Sequence, residues 1–178
     1  VRKSRRSFID DGIEVRMADI ERVDAEARLV HLGDGSELSY DYLIMATGTT
    51  PRPDQTPGML GPQWRKSVHE FYTYDGMLAL KKSLKDFQGG RLVMHITELP
   101  IKCPVAPLEF VMLADDFLTK KGVRAATEIV YVTPLDGAFT KPVASRELGH
   151  HLSTRNIKVE PDFMIESVDQ EAKVIRSY

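Results

Sequence analysis

The sequence predicts an α/β protein: a parallel sheet with covering helices, joined to short antiparallel strands. Between residues 75 and 159, segments with helical apolar spacing alternate with short β-branched runs. That order builds a parallel sheet with right-handed crossovers. Residues 13–40 and 163–176 instead carry the period-two alternation of hairpins. A proline-rich stretch separates the first strands from the alternating region.

Each element follows from its residues. Ile13–Met17 alternates with period two and reads as a strand. Arg28–Leu32 does the same, Gly33-Asp34-Gly35 supplies a tight turn, and Glu37–Tyr40 returns as the second arm of a hairpin. Tyr42–Ala46 is continuously apolar, the pattern of a strand buried on both faces, and runs into Thr47-Gly48. Residues 49–63 hold Pro51, Pro53, Pro57 and Pro62 with Gly58 and Gly61. Proline fixes φ and removes an N–H, so an extended linker and a domain boundary are expected there. Asp75–Phe87 sets Met77, Leu78, Leu80, Leu84 and Phe87 mostly on one helical face and Lys81, Lys82 and Lys85 on the other. Gly89-Gly90 stops it. Arg91–Thr97 is a strand, Leu99–Pro104 a loop, and Pro107–Lys121 a helix closed by Gly122. Asp115-Asp116 and Lys120-Lys121 are expected on the solvent side of that helix. Glu128–Thr133 is a β-branched strand, Pro142–Thr154 a helix and Ile157–Val159 a short strand. Phe163–Val168 and Lys173–Arg176 form a hairpin turning near Asp169.

Bulk properties remove several function classes. The 178 residues carry a net charge of -2 and a pI of about 6.2, so no field is available to draw nucleic acid onto the surface. The one dense basic run, Arg2-Lys3-Ser4-Arg5-Arg6, reads as a solvated face. The first residue is Val, and residues 1–12 read as the interior of something longer. A single cysteine excludes a disulfide framework within the chain. His31, His69 and His95 are scattered. His150-His151 project about 100° apart on a helix, which suits one metal ion poorly. No G-x-S-x-G motif is present to support a hydrolase.

Three signals carry chemistry. First, the apolar run Tyr42–Ala46 exits through Thr47-Gly48-Thr49, a small-residue turn that lets a bulky ligand approach the backbone. Second, the strand Leu92–Ile96 runs into Thr97-Glu98-Leu99-Pro100-Ile101-Lys102-Cys103-Pro104, where no glycine occurs. A dinucleotide pyrophosphate needs bare backbone and free N–H groups at that place, so a nicotinamide dinucleotide is not expected to bind there. Third, Cys103 occupies this loop just before a helix, where its thiol is expected to face the helix's unpaired N–H groups. That setting favours the thiolate, the nucleophilic form. Lys102 adds to this if its side chain turns inward, and Glu109, six residues on, is positioned to shuttle protons if it faces the thiol. Phe71, Tyr72 and Tyr74 read as an aromatic packing cluster, and Phe139-Thr140-Lys141-Pro142 as a loop at the ligand-facing edge of the sheet.

The segment Pro100–Phe110, read together with Ala46-Thr47-Gly48, resembles the sulfide:quinone oxidoreductases and the flavoprotein subunit of flavocytochrome c sulfide dehydrogenases. Both belong to the FAD-dependent pyridine nucleotide-disulfide oxidoreductase superfamily. Thr133-Pro134-Leu135 and Gly137–Thr140 are similar to further segments of the family. The resemblance implies FAD as cofactor, contacted by Ala46, Thr47, Gly48, Thr49 and Pro104. It implies Cys103 as the redox thiol, paired with a cysteine outside this chain, and Glu109 as its proton carrier. It implies sulfide and quinone as substrates, and peripheral membrane attachment through segments that this chain lacks; homo-oligomer formation stays open. Under it, residues 1–52 belong to an incomplete FAD-binding domain, 53–160 to a Rossmann-like domain, and 161–178 return toward the FAD domain. A haem subunit as acceptor, an NAD(P)H-dependent flavin disulfide reductase, and a degenerate Rossmann scaffold with an unreactive thiol remain the alternatives.

Overall fold

The computed structural model describes residues 4–178, so Arg2 and Lys3 of the basic run lie outside the described residues. The chain divides into two compact units, Val1–Gly48 and Thr49–Tyr178.

The first unit is built on a three-stranded antiparallel sheet, β1 (Ile20–Asp24), β2 (Leu29–Leu32) and β3 (Glu37–Ser39), in the order β1-β2-β3. The β2–β3 hairpin turns where the sequence predicts, with Gly35 at φ 83°, a conformation that side chains disfavour. Val30 and Leu32 are its buried residues. Across the strands His31 stands opposite both Arg22 and Glu37. Its Nδ1 lies 2.9 Å from Glu37 Oε1 and its Nε2 2.6 Å from the Arg22 guanidinium, which pins the register.

Two expected strands of this unit do not form. Ile13–Met17 is irregular, with Ile13 and Met17 exposed. Tyr42–Ala46 is irregular, and Tyr42 is 93% and Ile44 88% exposed. A strand exists only beside a hydrogen-bonding neighbour, and none runs alongside either segment among the described residues.

The second unit contains the parallel sheet β4 (Gly90–His95), β5 (Thr127–Val132) and β6 (Ile157–Glu160), in the order β4-β5-β6. Helices α1 (Tyr74–Asp86), α2 (Ala106–Lys120) and α3 (Pro142–Thr154) alternate with the strands. This is the predicted α/β, Rossmann-like arrangement. Leu108, Val111 and Leu118 of α2 and Leu152 of α3 meet Ile129, Tyr131 and Ile157 in one core. The opposite face of β5 buries Val130 and Val132 beside His95, against which the Phe163 ring sits edge-on at 5.3 Å. β5 is therefore buried on both faces, as its unbroken apolar run Ile129–Val132 requires.

The start of α1 is fixed by its own sequence. The Thr73 side chain caps it by accepting from Gly76 N at 3.0 Å. The Glu70 carboxylate accepts from the backbone N–H groups of Tyr72 (2.7 Å) and Thr73 (2.9 Å) and from the Thr73 hydroxyl. At the other end the Lys121 ammonium donates to the carbonyls of Leu84 (3.0 Å), Lys85 (2.5 Å) and Phe87. Lys121 is thus half-buried rather than solvent-facing. Asp115 also differs from expectation. It is 19% exposed and paired with Arg124 at 2.5 Å, because Arg124 is drawn inward by the carbonyls of Thr127, Arg155 and Asn156.

The proline-rich stretch is not an extended linker. It turns through a 3-10 turn, Pro53–Gln55, and docks on the hairpin β7 (Ile165–Asp169) and β8 (Val174–Ser177). Val168 N donates to Pro57 O at 2.9 Å. The Gln170 amide accepts from Gln63 N at 2.7 Å and donates to the carbonyls of Gly58 and Met59 at 2.8 and 2.7 Å. Proline-rich backbone leaves carbonyls without local partners, and here a distant amide satisfies them.

Candidate functional site

The C-terminal ends of β4 and β5 carry the loops that matter, as the topology of open α/β sheets requires. The β4 loop continues one residue beyond the strand, with Ile96 buried and its N–H donating to Val132 O at 2.9 Å. It then leaves the sheet through Thr97–Val105. Cys103 lies near its end, half-buried, two residues before the N-cap Val105 of α2.

Among the described residues no N–H of the helix donates to the thiol. Instead the Cys103 carbonyl accepts from Ala106 N at 3.3 Å, closing a turn ahead of the helix. Among the described residues no hydrogen bond reaches the Cys103 Sγ. Lys102 does not turn toward the thiol either: its Nζ donates to Thr49 O at 3.2 Å. That bond brings Thr49 and the cysteine loop together within the second unit.

A phenol approaches the turn from elsewhere. Tyr72 Oη donates to the Cys103 carbonyl at 3.4 Å. Burial raises the Tyr72 pKa above the usual phenol range, and the charge of Cys103 adds to the rise. Behind it Tyr131 is fully buried, its pKa pushed up to about 12 mainly by burial, with Tyr72 contributing. Tyr131 Oη donates to Ala138 O at 3.4 Å, which ties down the β5 loop. That loop, with Gly137, Ala138, Phe139, Thr140 and Ser145, lines an open groove. Sequence reasoning assigned Tyr72 to packing and gave Tyr131 no role. The expected packing is present, with Phe71 stacked on Phe110 at 5.1 Å and tilted against the Tyr72 ring at 5.0 Å, and the Tyr72 hydroxyl adds the bond to Cys103.

Glu109 sits in the first turns of α2, exposed, with Glu109 N donating to Val105 O at 3.0 Å. No hydrogen bond or ion pair holds its carboxylate among the described residues, so it is open to exchange protons with solvent. Pro104 is exposed beside Cys103.

The loop geometry tests two cofactors. A dinucleotide pyrophosphate on α2 would need the helix's first N–H groups. Ala106 N is already bonded, and Pro107, buried at the second helical position, has no N–H to offer. The β4 loop therefore does not fit a nicotinamide dinucleotide bound in the usual way. The turn Ala46-Thr47-Gly48 closes the first unit and is exposed throughout. Gly48 has φ 74°, and a Cβ built there would meet nothing within 4 Å. Bare, open backbone of this kind suits contact with a large flat ligand such as FAD. Thr49, which opens the second unit, is also exposed.

Other histidines are not assembled into a site. His150 and His151 are exposed on α3 with ring centroids 6.3 Å apart. Among the described residues no group of three His, Cys, Asp or Glu side chains is placed to hold a metal ion. No helix among them is long and apolar enough to cross a membrane.

No family model matches the chain. The fold is shared with solved oxidoreductases. It overlays the sulfide:quinone oxidoreductase of Aquifex aeolicus with a TM-score of 0.67 at 19% identity, over 90% of this chain and 39% of that one. In sequence the chain is similar to mitochondrial sulfide:quinone oxidoreductases. It is 28% identical over 123 residues to that of Dictyostelium discoideum, covering 68% of this chain and 27% of that protein. It is 22% identical over 157 residues to that of Mus musculus, covering 88% and 35%. The chain thus spans about a quarter to a third of the length of these curated relatives.

Proposed function

We propose that this chain is the thiol-bearing part of an FAD-dependent oxidoreductase that oxidises sulfide and passes the electrons to quinone. The observation that carries the reading is the β4 loop. Where phosphate binding needs free N–H groups, the chain has a bonded Ala106 N, a proline, and a half-buried cysteine at the sheet's C-terminal edge. A scaffold with an inert thiol would have its sulfur fully buried in the core, and Cys103 is outside the core cluster.

In this reading Ala46, Thr47, Gly48, Thr49 and Pro104 offer exposed backbone and small side chains to FAD. FAD when bound supplies a two-electron acceptor. Cys103 begins each cycle in a disulfide with a cysteine from outside this chain. Hydrosulfide attacks that disulfide at the partner sulfur. One sulfur–sulfur bond forms as the other breaks, and the electron pair leaves on Cys103 as thiolate. Joining the Cys103 thiolate to the persulfide left on the partner cysteine in one new sulfur–sulfur bond would release two electrons, for which FAD would be the first acceptor and quinone, with two protons, the last. Glu109, exposed and without a salt-bridge partner, carries the proton released by hydrosulfide to solvent. Residues 1–52 are the proposed FAD-binding part and 53–160 the Rossmann-like part.

The test uses the full encoded polypeptide loaded with FAD under anaerobic conditions. Sulfide should bleach the flavin absorbance and NADH should not. Cys103→Ser should abolish the bleaching while retaining bound flavin. Bleaching that survives the substitution removes Cys103 from the chemistry, and bleaching by NADH alone returns the protein to the nicotinamide-dependent class.

A further inference from the structure

The Cys103 turn is held not only by its own backbone but also by a residue that lies 31 positions upstream. Two donors converge on one oxygen: Tyr72 Oη at 3.4 Å and Ala106 N at 3.3 Å both bond the Cys103 carbonyl. The phenol arrives on a rigid mount. Glu70 fastens the backbone N–H groups of Tyr72 and Thr73 at 2.7 and 2.9 Å. Phe71 lies stacked on Phe110, at 5.1 Å and 13° between planes, just past the turn on α2. On the other side of the loop Lys102 is tethered to Thr49 O at 3.2 Å. The stretch 102–106 is thereby braced from two directions while the thiol itself is left without a hydrogen bond.

We propose that Tyr72 is a positioning residue for Cys103, its hydroxyl setting the orientation and exposure of the thiol through the carbonyl of the same residue. The inference rests on the reading of Cys103 as the reactive thiol. Its test needs neither flavin nor sulfide, so the two can fail separately. Burial and the nearby cysteine both oppose ionisation of the phenol. Tyr72 therefore stays a neutral donor over the pH range in which a thiol reacts. It orients and does not act as a base.

Cys103 is the only cysteine of these 178 residues, so the iodoacetamide adduct on the peptide that carries it, quantified by mass spectrometry after full reduction, reads this thiol alone. Tyr72→Phe keeps the ring and its contact with Phe71 and removes only the hydroxyl. The expected result is alkylation faster by on the order of five-fold, the opening that one net hydrogen bond restrains, at an unchanged melting temperature. An unchanged alkylation rate overturns the proposal, and so does a rate that rises only in step with a lowered melting temperature. If Tyr72→Phe does not fold, Cys103→Ser gives the reciprocal measurement. The charge of Cys103 holds Tyr72 ionisation up, so its removal should lower the pH at which the Tyr72 ring signal titrates in NMR. Tyr131 is the other titratable group facing Tyr72, and its own ionisation is coupled to that of Tyr72, so an exposed tyrosine such as Tyr42 serves as the internal reference. A Tyr72 titration that does not move also overturns the proposal.

Discussion

Replacing Gly76 by alanine sets two effects of opposite sign against each other. Gly76 is buried in the first turn of α1, where alanine would ordinarily favour the helix by up to about 1 kcal/mol. The added Cβ, however, would lie 2.5 Å from the Glu70 carbonyl oxygen and closer still to the Glu70 carboxylate. The carboxylate can swing away, but the carbonyl is backbone and cannot do so cheaply. If the carboxylate moves, it leaves the N–H groups of Tyr72 and Thr73. Two hydrogen bonds to a charged group are worth about 1.5 kcal/mol each at the low end. The loss of roughly 3 kcal/mol against a gain of roughly 1 kcal/mol leaves Gly76→Ala destabilising by about 2 kcal/mol. For a unit of this size that lowers the melting temperature by about 5–10 °C. Thermal denaturation followed by circular dichroism measures it directly. The same variant should also speed alkylation of Cys103, because Glu70 holds the segment that carries Tyr72. A melting temperature that rises would show that helix propensity wins and that the Glu70 network is not a constraint.

Arg124→Met should lower stability by about 3 kcal/mol, since it strands the half-buried Asp115 carboxylate and three carbonyls. Adding Asp115→Asn should recover part of the loss in urea unfolding, and no recovery would deny the pairing. His95 is held neutral by burial, its pKa lowered from 6.5 to about 4, with its Nε2 lacking a partner. The fold accepts only the neutral ring, so this contribution is complete above pH 6.5 and declines as the pH falls toward 4. The full span is on the order of 3 kcal/mol. The stability profile of His95→Gln should be flatter across that window, and an identical profile would assign the acid sensitivity elsewhere. Gly48→Ala should weaken flavin retention in the FAD-loaded polypeptide, because it places a side chain at φ 74° on an open turn. Unchanged retention would remove that turn from the cofactor contact.

The parallel sheet was legible because its signals are local. Gly89-Gly90, the β-branched run of β5 and the prolines at the starts of α2 and α3 each specify their element without help from the rest of the chain. The misread segments all depend on partners. Tyr42–Ala46 has the composition of an interior strand, but composition does not supply a neighbour to pair with. Residues 49–63 have the composition of a linker, yet one amide, Gln170, satisfies the carbonyls of Gly58 and Met59 and folds the stretch onto a hairpin. Asp115 looked solvated because it is charged and stands next to Asp116, although its helical row, Val111, Met112 and Leu118, is apolar, and nothing in that row points to Arg124 nine residues on. At the candidate site the position of Cys103 was readable from the strand–loop–helix order. The direction of its carbonyl and the phenol bonded to it were not, since Tyr72 comes from a separate segment and leaves no spacing to detect.

Both ends of α1 are anchored, by Glu70 at the start and by the Lys121 ammonium at the finish. The helix therefore behaves as a strut of fixed length and phase rather than as a cover for the sheet. One residue inserted within it would advance the strut by about 1.5 Å and rotate it by about 100°. The two anchors could not then be satisfied together, and the aromatic segment ahead of the helix would be pulled out of register with the cysteine turn. Residue substitutions on the solvent face of this helix should be tolerated freely, whereas a change of its length should not.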